Sequence, residues 1–165
     1  MSEDQQIQPP NNNNSFEDMF DPAAVQAKRT ANDWREAVQT AGQALADTGR
    51  IETRYVDAME RVISDLGPYA VIAPGVVLLH ARPEDGVNQP SFGLVTLTTP
   101  VPFGHSENDP VDLVFVLAAV DKNGHIKALQ QLAFLLGDTA KLAELRAAAD
   151  DKALYSVLQS WSDGL

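Results

Sequence analysis

Two predominantly apolar runs, Phe92 to Thr98 and Val111 to Val120, constrain this chain more than any other feature. Both are of strand length and rich in β-branched and large apolar residues, and neither keeps the apolar–polar alternation of a sheet with one wet face. Such strands have both faces buried, so they belong at the centre of a sheet covered by a layer on each side.

The rest of the chain carries the periodicities to supply those layers. From Asp21 or Pro22 the pattern is helical, with Trp34, Val38, Ala41 and Leu45 recurring three or four apart until Thr48-Gly49 stops it. A second helix is expected near Glu52, burying Tyr55, Val56, Met59, Val62, Ile63 and Leu66 and ending at Gly67-Pro68. The period then changes: Tyr69 to Ile72 reads as a short strand, Pro74-Gly75 as a turn, and Val76 to Leu79 as a strand running into His80. Beyond Val120, turn chemistry at Asp121 to Gly124 precedes a helix whose buried face is expected to be Ile126, Leu129, Leu132, Ala133 and Leu136. Helices over Thr139 to Ala148 and Asp151 to Trp161 complete the chain. The predicted fold is an α/β, three-layer α/β/α sandwich around a small mixed β-sheet, a single domain over residues 22–165. Residues 1–21, with Pro9-Pro10 and the run Asn11 to Asn14, read as a disordered, acidic, polar leader.

Composition then removes whole classes of function. A net charge of -11 with scattered basic residues argues against nucleic acid as a partner. No stretch approaches the run of about 18 apolar residues that spans a bilayer, so no membrane insertion and a cytoplasmic location are expected. There is no cysteine, which removes disulfides, thiolate nucleophiles and Cys-ligated zinc, so a covalent step would need another nucleophile.

Of the three histidines, at positions 80, 105 and 125, His80 is the most informative. It follows an apolar strand and precedes the polar turn Ala81-Arg82-Pro83-Glu84-Asp85-Gly86, which places it at a sheet edge. A neutral imidazole attacks phosphorus near pH 7 when a neighbour fixes its tautomer, and Arg82 is placed to offset charge on phosphoryl oxygens. By residue type alone, a lone histidine after a strand is more often a hydrogen-bonded structural residue, and both readings stay open. His105, in the loop Pro102 to Pro110, reads as a surface side chain. His125, at a helix start, is equally able to bond nearby backbone.

The longer strings carry more. The segment from Gly67 through Pro74-Gly75-Val-Val-Leu-Leu-His80-Ala-Arg-Pro-Glu-Asp-Gly-Val87 resembles the active-site region of the mannitol/fructose-type enzyme IIA family of bacterial sugar phosphotransferase systems, especially its ascorbate-like branch. Phe103-Gly104, Asn108-Asp-Pro-Val111, Leu113 to Ala119 and Gly124-His125-Ile-Lys-Ala-Leu-Gln-Gln-Leu-Ala133 form a second match, so that the resemblance spans about Glu52 to Trp161. It implies that His80 is phosphorylated and that His125 lies beside it, orienting the site and hydrogen-bonding the phosphoryl group. It also implies an assisting arginine near the end of the second helix, for which Arg61 is the nearest candidate beside Arg82. The family places proline directly before the active histidine, where this chain has Leu79.

By the same resemblance, the phosphocarrier HPr donates to His80, which then donates to a cysteine of enzyme IIB and through it serves the membrane component IIC. No nucleotide, metal or other cofactor is implied. A shallow apolar surface is expected to receive these partners, with Val76, Val77, Leu79 and the Val101 to Phe103 loop as candidates, and such a patch would serve a homodimer equally well. Two other readings share the fold: a regulatory paralogue that signals by phosphorylation-dependent binding, and a purely structural module.

Overall fold

A computed structural model describes residues 19–162. Its five strands are β1 (Phe20–Arg29), β2 (Val71–Ala73), β3 (Val76–Leu79), β4 (Ser91–Val101) and β5 (Val111–Ala118), and its five helices are α1 (Trp34–Ala46), α2 (Thr53–Leu66), α3 (Lys122–Leu136), α4 (Thr139–Ala147) and α5 (Asp151–Ser162). A short 3-10 turn, Pro83–Asp85, follows β3. The strands form one mixed sheet in the order β1-β4-β5-β3-β2. β1 runs parallel to β4, β4 antiparallel to β5, β5 parallel to β3, and β3 antiparallel to β2.

The two apolar runs do sit at the centre, and the alternation within them feeds two separate cores. Val95, Leu97, Val114 and Val116, joined by Val77 and Leu79 of β3, face a core shared with Val38 and Leu45 of α1 and Tyr55, Met59 and Ile63 of α2. Their neighbours Phe92, Leu94, Leu113, Phe115 and Leu117, joined by Val76 and Leu78 of β3, face the other core, with Leu132 and Leu135 of α3, Leu145 of α4, and Leu154 and Leu158 of α5. Successive side chains of a strand point to opposite faces, so a predominantly apolar run requires two cores. The three-layer sandwich follows.

Two local expectations are overturned. The segment from Asp21 is not helical: Phe20–Arg29 is a strand, and α1 starts only at Trp34, where the Asp33 carboxylate caps it by accepting the Glu36 N–H at 2.9 Å. Ala23, Ala24, Gln26 and Ala27 favour a helix on their own, but pairing with β4 outweighs that preference by burying Phe20, Val25 and Ala27 in one core and Ala24 in the other. This strand also includes Phe20, within the segment read as leader; residues 1–18 lie outside the described residues. In α3 the buried residues are Ala128, Leu132 and Leu135, while Ile126 and Ala133 are exposed, so the buried stripe is rotated from the expected one.

Because β3 and β5 are parallel, with Leu79 paired to Val116, their C-terminal ends emerge at the same edge of the sheet. The chain leaving β3 carries His80, and the chain leaving β5 enters α3, which carries His125. Crevices beyond the carboxyl ends of strands are where open α/β sheets place ligands.

Candidate functional site

His80 is half-buried and its Nδ1 lies 3.0 Å from the carbonyl oxygen of Leu78, two residues back. A carbonyl only accepts, so the proton resides on Nδ1 and the opposite nitrogen, Nε2, keeps its lone pair. The His125 ring stands beside it, with 5.5 Å between centroids and a tilt of 53°. Burial, and then repulsion from His80, hold His125 below the ordinary histidine value, which keeps that ring neutral at pH 7. The Asp121 side chain caps α3 by accepting the Gly124 N–H at 2.7 Å, fixing the helical turn that presents His125.

Both rings line one cavity of about 710 Å³, together with Arg61, Arg82, Lys122 and Leu66. All four residues singled out in the sequence, His80, His125, Arg82 and Arg61, therefore meet at one place. The two arginines differ in availability. Arg82 is exposed and turned to its own loop, 3.7 Å from Glu84 and 3.5 Å from Asp85. Arg61, on the outer face of α2, makes no ion pair among the described residues. Lys122 was not anticipated; it stands one helical turn before His125, on the same face of α3.

A second unanticipated residue is Tyr55. Its ring belongs to the expected apolar stripe of α2, but its hydroxyl reaches the strand ends, donating to the Leu117 carbonyl at 2.8 Å and accepting the Ala81 N–H at 2.9 Å. Burial, opposed in part by the Ala81 hydrogen bond, pushes this phenol up to about 12. Neither partner is near Tyr55 in sequence, so no local pattern announces the contact.

Leu79, in the place of the family proline, is the last residue of β3 and buries its side chain, so His80 leaves the sheet from an ordinary paired strand. The residues expected to form a docking surface are corrected: Val76, Val77, Leu79, Val101 and Phe103 all lie in the two cores, because each occupies an inward position of a doubly covered strand or its end. Leu66, expected in the buried stripe of α2, is instead 64% exposed and lines the cavity, because it lies in the last turn of the helix beyond the core. His105 is away from the cavity. Its Nδ1 accepts the N–H groups of Glu107 and Asn108 at 3.2 and 3.0 Å, which closes a loop turn. Among the described residues, no group of three or more His, Asp or Glu is placed to hold a metal ion, and no helix is long and apolar enough to cross a membrane.

Comparison with known proteins places most of the chain in one family. The family model for the phosphoenolpyruvate-dependent sugar phosphotransferase system, EIIA 2, matches residues 18–161. The ascorbate-specific PTS system EIIA component of Salmonella typhi is 42% identical over 125 residues, covering 75% of this chain and 81% of that protein. The solution structure of the mannitol-specific cryptic phosphotransferase enzyme IIA CmtB from Escherichia coli superposes with a TM-score of 0.78 at 32% identity, covering 87% of this chain and 97% of the other. Enzyme IIAMTL in its complex with phosphorylated enzyme IIBMTL from Escherichia coli gives a TM-score of 0.72 at 26% identity, over 86% of this chain and 99% of that one. The paired histidines at the sheet edge thus sit in a chain that belongs to the EIIA 2 family of the sugar phosphotransferase system, whose members relay phosphoryl groups for sugar uptake.

Proposed function

We propose that His80 is the phosphoryl acceptor of this relay and that Nε2 is the reacting atom. The observation that carries the proposal is the Nδ1–H donated to the Leu78 carbonyl, which leaves the Nε2 lone pair free beside a cavity. In the accepting step the lone pair of Nε2 forms a new N–P bond as the P–N bond of phosphorylated HPr breaks; the HPr imidazole takes that electron pair and leaves neutral with its other nitrogen protonated, and the His80 ring, still protonated on Nδ1, takes up the positive charge. In the donating step a cysteine thiolate of enzyme IIB attacks the same phosphorus and the His80 N–P bond breaks. Charge is conserved without a nucleotide, and the protein's task is alignment and stabilisation of the equatorial oxygens.

His125, neutral at pH 7, donates a hydrogen bond to the phosphoryl group, and Arg61, which makes no ion pair among the described residues, offsets its charge with Lys122 and Arg82. Enzyme IIB as the receiving partner is supported by the likeness to the IIA of a IIA–IIB complex, and a cytoplasmic location by the site's need to meet two such partners. The ascorbate-specific relatives support an ascorbate-like sugar as the transported substrate, and they favour transport over a signalling-only role.

Incubation with phosphorylated HPr tests the assignment. The expected product is an acid-labile, base-stable phosphate that is absent from His80→Ala and still formed, more slowly, by His125→Ala. Labelling of His80→Ala at the rate of the unaltered chain would overturn it.

A further inference from the structure

The parallel ladder between β3 and β5 ends at the pair Leu79 and Val116. Two residues further, where Ala81 would pair with Ala118, the Ala81 N–H and the Leu117 carbonyl are the groups a continued ladder would join. They are not joined directly. The Tyr55 hydroxyl stands between them, accepting from Ala81 at 2.9 Å and donating to Leu117 at 2.8 Å, with the Ala81 carbonyl a further 3.2 Å contact. The strands are therefore parted by the width of one oxygen at the level of His80, yet remain tied through it.

The tie joins the two segments that bear the histidines. Ala81 follows His80 directly, and Leu117 is four residues before the Asp121 cap of α3. The first turn of α2 holds the same loop at two more points, by the Glu52 N–H donating to the Gly86 carbonyl at 2.8 Å and Arg54 Nη1 donating to the Glu84 carbonyl at 2.9 Å. The Tyr55 ring is fully buried, so its hydroxyl has little freedom to move.

We infer that Tyr55 is a positioning residue for phosphoryl transfer: its hydroxyl replaces a rung of the sheet, opening the strands at His80 and setting the separation of the two histidine-bearing segments. The inference rests on His80 being the acceptor. Removing the hydroxyl has two structural outcomes, closure of the missing rung or two unpaired backbone groups, and each displaces His80 relative to His125. Misplacement on the scale of an ångström reduces such reactions by up to about a hundredfold.

The test compares the full-length unaltered chain with Tyr55→Phe, which keeps the ring. The variant is expected to melt as a folded protein and to accept phosphate from saturating phosphorylated HPr about ten- to a hundredfold more slowly, with KM for HPr nearly unchanged. The ring ¹⁵N shifts of His80 should also move away from a pure Nδ1–H tautomer, a change that mere loss of stability would not produce. A folded Tyr55→Phe that accepts phosphate at the unaltered rate, or whose whole defect lies in KM, overturns the inference while leaving His80 as the acceptor. If the unaltered chain is not labelled on His80, the acceptor reading fails and takes the inference with it. Should Tyr55→Phe not fold, amide exchange in the unaltered protein decides: strong protection of the Ala81 N–H relative to the rate of an unstructured chain supports the tie, and exchange at that rate overturns it.

Discussion

His125 depends on its neighbour for its charge state, and that dependence can be read out by titration. Burial and then the proximity of His80 lower its pKa below the ordinary 6.5. An unfolded chain takes up a proton there as pH falls through about 6.5, whereas the folded chain refuses it until a lower pH. Stability contributed at this position is therefore complete above 6.5 and declines as pH falls from 6.5 toward the lower folded value. Phosphorylation of His80 reverses the electrostatic part, because it adds a negatively charged group to a ring that otherwise only repels a proton on His125, 5.5 Å away. The ring resonances of His125 should titrate below 6.5 in the unmodified protein and at distinctly higher pH in the phosphorylated one. An unchanged midpoint would mean that the phosphoryl group is elsewhere. Both histidines were legible in the sequence, since each lies at the end of a strand or the start of a helix inside a recognisable string. Tyr55 and Lys122 were not. Periodicity placed the tyrosine ring in the core, but its hydroxyl partners lie 26 and 62 residues away, and only the fold determines which strand ends α2 crosses.

At the level of elements, periodicity located every helix but misjudged a face and a strand. The face of α3 was misread because Ile126 and Ala133 fit the three-and-four spacing as well as Ala128 and Leu135 do, and a mostly apolar helix contains more than one stripe. β1 was misread because its alanines carry no strand signal until β4 is there to pair with them. The packing of α1 on α2 offers a test in which two local rules oppose each other. Gly42 lies inside α1, where alanine is favoured by about 1 kcal/mol. A Cβ there would stand 2.8 and 3.0 Å from the two methyl carbons of Val56 and 3.2 Å from Met59 Cε. The methionine end can turn aside, but the β-branched valine cannot, and overpacking a core commonly costs about 1–3 kcal/mol. The steric effect should win, so Gly42→Ala is expected to lower stability in urea by about 1 kcal/mol. A stabilised variant would show that the α1–α2 contact yields easily.

At the scale of the whole molecule, the two cores share a single sheet, so each is held in place by the other's strands. Loss of an edge strand should then weaken both, and the N-terminal boundary becomes measurable. The sequence read a leader through residue 21, whereas the fold places Phe20 in the core, its ring stacked on Phe92 at 5.1 Å and edge-on to Phe115 at 6.4 Å. Asp21 adds a 3.0 Å ion pair to Arg50, ahead of α2. A chain that begins at Glu17 keeps these contacts and should melt like the full chain, in keeping with the leader reading for the residues before it. A chain that begins at Ala23 lacks the phenylalanine, whose removal from a core costs about 3–5 kcal/mol, a large share of the 5–15 kcal/mol that holds a domain of this size folded. It should therefore unfold at much lower denaturant, and because the sheet is common to both cores, far-UV dichroism and, in a Trp161→Phe background, Trp34 fluorescence should still report one coincident transition. Equal midpoints for the two truncated chains would show that β1 contributes nothing before Ala23. Separate transitions for the two signals would show that the cores fold independently, which a single shared sheet does not allow.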